Sequence, residues 1–192
     1  QEGAVMYMKK QKEYNEIINP KLGYFVEFTS FDDETYRLYY GEADDIGEKN
    51  LVDISEGMSP CGSTLLYDTV IECLHRQMSR LENVYNNLNK TTRKLVDNCP
   101  WLIACTFAIM TDGIDNRSTL NTVGDCKDLL KIYKEKYAGK ALFIGANQDA
   151  KRTADKFGID HDSSLQMGSD RRSSFNAASA IASAPVSYTH LR

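Results

Sequence analysis

The spacing of apolar side chains changes along the first half of the chain, and each spacing predicts a different element. Residues 24–31 and 35–40 are aromatic and β-branched and flank Asp32-Asp33, which predicts a β-hairpin. Residues 42–59 are acidic and glycine-rich, which indicates mostly connection. Residues 64–81 form a helix by their periodicity, and its predicted inward face comprises Leu66, Val70, Leu74, Met78 and Leu81.

The second half alternates between helical patterns and apolar runs. Residues 83–99 continue as helix or loop to Pro100, and residues 101–110 suit a strand buried on both faces. A predicted helix follows, ends at Gly139, and has an inward face of Val123, Cys126, Leu130, Tyr133 and Tyr137. That helix is predicted over residues 119–137. The further predictions are strands at 141–145 and 164–167, a helix at 149–157, and an Ala- and Ser-rich helix at 173–184. This order predicts an α/β fold with a doubly wound, mostly parallel sheet flanked by helices, a Rossmann-like architecture.

Both ends of the chain look unlike the ends of a native domain. The chain opens with Gln1 inside a helical pattern over residues 2–18, so we expect upstream sequence to be absent. Residues 185–192 end in Val-Ser-Tyr-Thr-His-Leu-Arg, which resembles a translated adaptor sequence; a natural flexible tail is the alternative. We therefore predict a single domain over residues 1–184 and a non-domain tail over residues 185–192.

Composition narrows the functional classes. The formal net charge of -4 provides no global basic field, which argues against nucleic acid and membrane partners. No apolar run approaches the ~20 residues needed to span a bilayer. The five cysteines are widely spaced without a C-x-x-C pair, which argues against a zinc cluster or disulfide framework and favours a reducing, cytoplasmic location. His75, His161 and His190 have no partner at a ligand spacing, so we interpret them as surface residues.

Two loops carry the candidate chemistry. Asp112 follows the apolar strand directly, where a carboxylate suits a hard cation such as Mg²⁺; plain Asp-Gly turn chemistry is the alternative. Ser63 and Thr64 precede a helix, where either hydroxyl caps the helix or ligates a metal. Asp68 and Asp115 are either groups that orient metal ligands or ordinary helix-start and turn carboxylates.

Taken together, the two loops resemble those of the von Willebrand factor type A (VWA) family. Residues 62–70 (Gly-Ser-Thr-Leu-Leu-Tyr-Asp-Thr-Val) resemble the second metal-site loop of that family, and residues 109–116 (Ile-Met-Thr-Asp-Gly-Ile-Asp-Asn) resemble the third. The hairpin region at 28–33 and residues 141–150 look like other parts of bacterial members. The resemblance covers about residues 1–170, and implies a bacterial or phage-type member that lacks its N-terminal part.

The resemblance implies a metal-ion-dependent adhesion site with Thr64 and Asp112 as metal ligands and Mg²⁺ or Mn²⁺ as the ion. The first loop of the family site, Asp-x-Ser-x-Ser, has no match in this chain, so we expect weak metal affinity. The strand before that loop is central in the family sheet. Its absence would leave two strand edges unpaired.

We therefore expect a binding module, not an enzyme, that engages a carboxylate of an unknown protein partner through the cation. The sequence offers oxygen ligands but no general base, nucleophile or cofactor loop. One alternative is a metal-dependent phosphohydrolase in which Asp112 and Asp115 hold Mg²⁺. The other is a metal-free interaction scaffold.

Overall fold

The computed structural model describes residues 25–57, 62–103, 105–146 and 150–167. Several predictions lie outside these residues, namely the helices at 2–18 and 173–184, the tail at 185–192, and the interpretation of His190. None of the described helices combines the length and apolarity required to cross a membrane.

The predicted hairpin is confirmed. Strand β1 (Phe25–Phe31) pairs antiparallel with β2 (Thr35–Glu42), and the register shifts between Phe28 and Thr29. In the turn, the Asp32 carboxylate accepts a hydrogen bond from the Glu34 backbone N–H at 3.1 Å. Such a local side-chain bond is the reason that aspartate favours turns.

The acidic segment after the hairpin contains a helix that the sequence reading missed. Helix α1 (Glu48–Glu56) follows a short 3₁₀ turn, so the prediction of mostly connection is wrong. Ile54 is fully buried and packs with Leu51 against the hairpin. The three-residue spacing of these two apolar side chains turns one helical face toward a small separate core, which contains Val26, Tyr39, Ala43, Ile46 and Ile54.

A parallel sheet forms the second half of the described chain. Strands β3 (Thr106–Thr111), β4 (Lys140–Ala146) and β5 (Ser164–Met167) pair in that order, and β5 matches its predicted bounds. Helices α2 (Leu66–Asn87) and α3 (Lys90–Asn98) precede the sheet, and helices α4 (Val123–Tyr137) and α5 (Ala150–Lys156) connect its strands. The structure is therefore mixed α/β, with a three-stranded parallel sheet flanked by helices, and is compatible with a Rossmann-like architecture.

Strand β3 begins later than its apolar pattern predicts. Pro100–Ile103 forms a 3₁₀ turn, and proline suits its first position because no N–H is needed there. Ile109 is buried, but Ala108 is exposed, so the prediction of burial on both faces fails at Ala108.

Helix α2 (Leu66–Asn87) links the two halves, and α3 (Lys90–Asn98) follows it. The predicted inward faces of α2 and α4 both pack into the main core, with Leu66, Val70, Leu74, Cys126, Leu130 and Tyr133 buried in it. The other side of α2 faces the hairpin, where Arg76 and Arg80 pair with Glu27. Among the described residues, β1–β2 and β3–β5 form two sheets that share no paired strand.

The C-terminus of α4 differs from its prediction in detail. Ala138, not Gly139, takes the left-handed conformation that ends the helix, with φ 49°. A Cβ on Gly139 would lie 2.3 Å from the Tyr133 ring. The glycine is therefore required by close packing on the core, not by its backbone angles.

Candidate functional site

The two candidate loops meet at the carboxyl edge of the parallel sheet. Asp112 directly follows β3, and residues 63–65 lead into α2. The Thr64 N–H donates to Asn116 Oδ1 at 2.8 Å, and the Asn116 N–H donates back to the Thr64 carbonyl at 3.2 Å. These reciprocal bonds join segments 52 residues apart in sequence. The structure thus brings together the two loops that the sequence singles out.

The N-terminus of α2 is capped from the other loop, so the alternative in which Ser63 or Thr64 caps this helix is wrong. The N-cap position is Leu65, which makes no side-chain capping bond. Instead, Asp115 Oδ1 accepts hydrogen bonds from the N–H groups of Leu66 at 2.8 Å and Tyr67 at 3.3 Å. A helix leaves its first N–H groups without intrahelical acceptors, and the Asp115 carboxylate supplies one.

Ser118 completes this cap, and the sequence reading did not identify it. Its hydroxyl donates to Asp115 Oδ1 at 2.5 Å and accepts from the N–H groups of Tyr67 at 3.0 Å and Asp68 at 3.1 Å. Asp115 and Ser118 therefore hold the start of α2 as a pair. Asp115 is therefore not an ordinary turn carboxylate, because it bonds to the start of α2 and not only within its own turn.

Asp68 joins the same two segments in the opposite direction, from α2 to the loop between β3 and α4 (residues 112–122). Its carboxylate accepts bonds from the N–H groups of Thr119 at 3.0 Å, Leu120 at 3.3 Å and Asn121 at 2.8 Å, and from the Asn121 side chain at 2.9 Å. Burial opposes ionisation of Asp68. The hydrogen bonds donated to the carboxylate outweigh burial and hold the pKa of Asp68 below its ordinary value of 3.8.

We expect Asp68→Asn to lower stability at neutral pH and to weaken its dependence on acid. The folded-state pKa of Asp68 is depressed, so its contribution is present above pH 3.8 and is lost as pH falls through the lower folded value. The loss at neutral pH is about 1 kcal/mol, because Asn keeps an acceptor but loses the charge. Urea unfolding of both proteins between about pH 7 and about pH 3 measures this. The exposed Asp128→Asn is the control, and equal acid dependence in all three proteins would refute the assignment.

The two predicted ligands, by contrast, have uncommitted oxygen atoms. Among the described residues, neither the Thr64 hydroxyl nor the Asp112 carboxylate has a hydrogen-bond or ion-pair partner, and Asp112 is exposed. A Cβ placed on Gly113 would lie 3.0 Å from Thr64 Oγ1, so the Thr64 hydroxyl lies beside the turn that presents Asp112. Glycine at this position leaves the space next to the hydroxyl open.

This donor set has the right chemistry for a hard cation but few ligands. A hydroxyl and a carboxylate are oxygen donors of the kind that Mg²⁺ and Mn²⁺ accept, with water completing the coordination. Within the described ranges, no three His, Cys, Asp or Glu side chains converge as a metal site. Thr64 and Asp112 therefore fit a cation as part of a ligand set.

The cysteine and histidine side chains that the structure describes do not contribute to this site. The Cys126 thiol lies behind α2, 3.5 Å from the Tyr67 carbonyl oxygen, and burial raises its pKa to about 12. Such a thiol stays protonated at neutral pH and is a poor nucleophile. His161 is exposed and pairs with Asp155 at 2.7 Å, and His75 is exposed on α2. Cys61 lies outside the described residues.

The chain matches no family model and no curated protein. Function is therefore inferred from the geometry of the two loops and from the sequence motifs that form them.

Proposed function

We propose that this chain is a VWA-type domain that binds a partner protein through a divalent cation held by Thr64 and Asp112. One observation carries the proposal. The polar side chains around these two residues bond to the opposite loop, whereas the Thr64 hydroxyl and the Asp112 carboxylate have no partner in the described chain. Two free oxygen ligands on loops that are hydrogen-bonded to each other, at the carboxyl edge of a parallel sheet, suit ligand binding.

The roles of the residues follow from their contacts. The Thr64 hydroxyl and the Asp112 carboxylate would hold Mg²⁺ or Mn²⁺, and the cation would supply an open coordination position for a partner carboxylate. Asp115, Asn116 and Ser118 fix the loops that carry both ligands. The chain lacks a match to Asp-x-Ser-x-Ser, so affinity for the free ion is expected to be weak.

The arrangement of the sheets also supports the VWA proposal. The family sheet carries another strand between the hairpin strands and the strand that precedes the third loop. In the described chain, β1–β2 and β3–β5 are two separate sheets, and α2 contacts both halves. A cytoplasmic location stays a prediction.

Calorimetric titration of Mg²⁺ and Mn²⁺ into the chain tests the proposal. We expect Asp112→Ala to weaken Mn²⁺ binding by about 10-fold or more, because loss of even an indirect metal contact has effects of this size. Thr64→Val, which keeps the shape but removes the hydroxyl, is expected to weaken binding, and Thr64→Ser is expected to restore it. The exposed Asp128→Ala is the control for nonspecific attraction of cations to an acidic chain.

Equal binding by the wild-type chain, Asp112→Ala and Thr64→Val would contradict the proposal. Binding of a partner that is unchanged by a chelator would favour the metal-free scaffold instead. Metal-dependent hydrolysis of a phosphoester that is lost in Asp112→Ala would favour the phosphohydrolase.

A further inference from the structure

In the loop between β3 and α4 (residues 112–122), partly buried and exposed side chains recur at three-residue intervals. We call the partly buried set the inner row and the exposed set the outer row. The inner row, Asp115, Ser118 and Asn121, is half-buried and bonds to α2. The residues one position before each of these are all exposed and form the outer row: Ile114, Arg117 and Leu120.

The outer row carries the two most exposed large apolar side chains named in the described structure. Leu120 is 84% exposed and Ile114 is 75% exposed. Burial of apolar surface is favourable by about 25 cal/mol per Å², and these two side chains do not gain this free energy in the free chain. Two such side chains on one short loop mark an interaction surface more than a chance exposure.

The outer row is held in place and is not a loose loop tip. The N–H groups of Asn116, Thr119, Leu120 and Asn121 all donate to residues at or just before the start of α2. The inner-row side chains add further bonds to the same helix start. A surface that is fixed before binding loses less conformational entropy when a partner docks.

The positive charge of Arg117 in the outer row indicates an acidic partner. Arg117 is exposed and lies between the two apolar residues in the sequence, and no ion pair joins it to another described residue. An arginine flanked by apolar side chains has the composition of a binding hot spot. Its guanidinium group complements a carboxylate, with which it forms bidentate hydrogen bonds.

We infer that the outer row docks an acidic, apolar segment of the partner protein beside the cation site. One partner carboxylate binds the cation at Thr64 and Asp112, a second pairs with Arg117, and apolar side chains cover Ile114 and Leu120. This inference rests on the proposed function, because both surfaces bind the same partner segment.

A displayed library of random peptides of about 12 residues provides the probe. The 192-residue chain is the target in the presence of Mg²⁺, and the strongest selected peptide is then synthesised for fluorescence anisotropy. We expect selected peptides to be enriched in Asp or Glu together with Leu, Ile or Phe. Arg117→Glu, and Ile114→Ser combined with Leu120→Ser, are each expected to weaken peptide binding about 10-fold or more. Leu95→Ser, at a position 54% exposed on α3, is the matched control and keeps wild-type affinity.

The outcomes separate this inference from the proposed function. If the outer-row variants bind the peptide as the wild type does, or if the peptides carry no acidic and apolar enrichment, the outer row is not the docking surface. If those variants lose binding while a chelator and Asp112→Ala leave it unchanged, the outer row stands and the cation site fails. Circular dichroism of each variant shows whether the fold is retained.

Discussion

Asp115→Ala is expected to lower the free energy of unfolding by about 2–3 kcal/mol, although Asp115 is only half-buried. One carboxylate oxygen accepts the N–H groups of Leu66 and Tyr67 and the Ser118 hydroxyl. Alanine leaves all three donors without this acceptor and removes a negative charge from the positive end of a 22-residue helix. Loss of a helix cap alone costs about 1 kcal/mol, and loss of the charge adds to it.

Urea unfolding at neutral pH measures this effect, and two further variants serve as comparisons. Asp115→Asn keeps an acceptor oxygen without the charge and is expected to recover about half of the loss. Asp128→Ala, at an exposed position on α4, is expected to stay within about 0.5 kcal/mol of the wild type. A value for Asp115→Ala inside that same range would show that the two loops are not joined as described.

Glu27→Gln is expected to destabilise the chain by about 2–3 kcal/mol through the contact between the hairpin and α2. The Glu27 side chain is 16% exposed and pairs with both Arg76 and Arg80. The glutamine leaves two partly buried guanidinium groups without the carboxylate that both face. Removal of one member of such a group costs more than the intact group contributes.

The neighbouring pair of Arg76 and Glu72 provides a matched control for this prediction. Glu72 is 54% exposed and lies four residues before Arg76 on the same helix. Glu72→Gln is therefore expected to cost only about 0.3–0.5 kcal/mol, as exposed helical pairs do. Amide hydrogen exchange in β1 and β2 is expected to accelerate in Glu27→Gln and not in Glu72→Gln. Equal effects of the two substitutions would contradict a buried polar contact at this position.

The sequence predicted the elements whose apolar periodicity is strong. The four-residue spacing of Leu66, Val70 and Leu74 identified α2, and all three side chains are buried. The start of α2 was misplaced because its cap comes from Asp115 and Ser118, about 50 residues further along the chain. Local capping rules consider only neighbouring residues, so they offered Ser63 and Thr64 as candidate caps.

Helix α1 escaped prediction because its apolar signal is small. Only Leu51 and Ile54 mark its inward face, within a segment dominated by acidic residues and glycine. The burial of Ile54 against the hairpin stabilises a helix that its local sequence indicates weakly. The packing partner, not the propensity, determines this element.

The positions of the two proposed ligands relative to the neighbouring strand and helix could be predicted from the sequence, but the contacts that join the two loops could not. Asp112 follows an apolar strand and Thr64 precedes a helix, and both positions are visible in the sequence. The contacts of Asn116, Ser118 and Asn121 depend on how the two loops meet. The three-residue interval of polar side chains at 115, 118 and 121 was the available signal, but such intervals occur in helices and loops alike.

Paramagnetic broadening by Mn²⁺ in the ¹⁵N-labelled chain tests the proposed cation site most directly, because it locates the bound ion. We predict that substoichiometric Mn²⁺ first broadens the amide signals of Thr64, Gly113 and Asn116, and that Asp112→Ala abolishes this selectivity. Signals that broaden instead around the exposed acidic residues Asp44, Asp45 and Glu48, equally in the wild type and in Asp112→Ala, would contradict a cation site at Thr64 and Asp112.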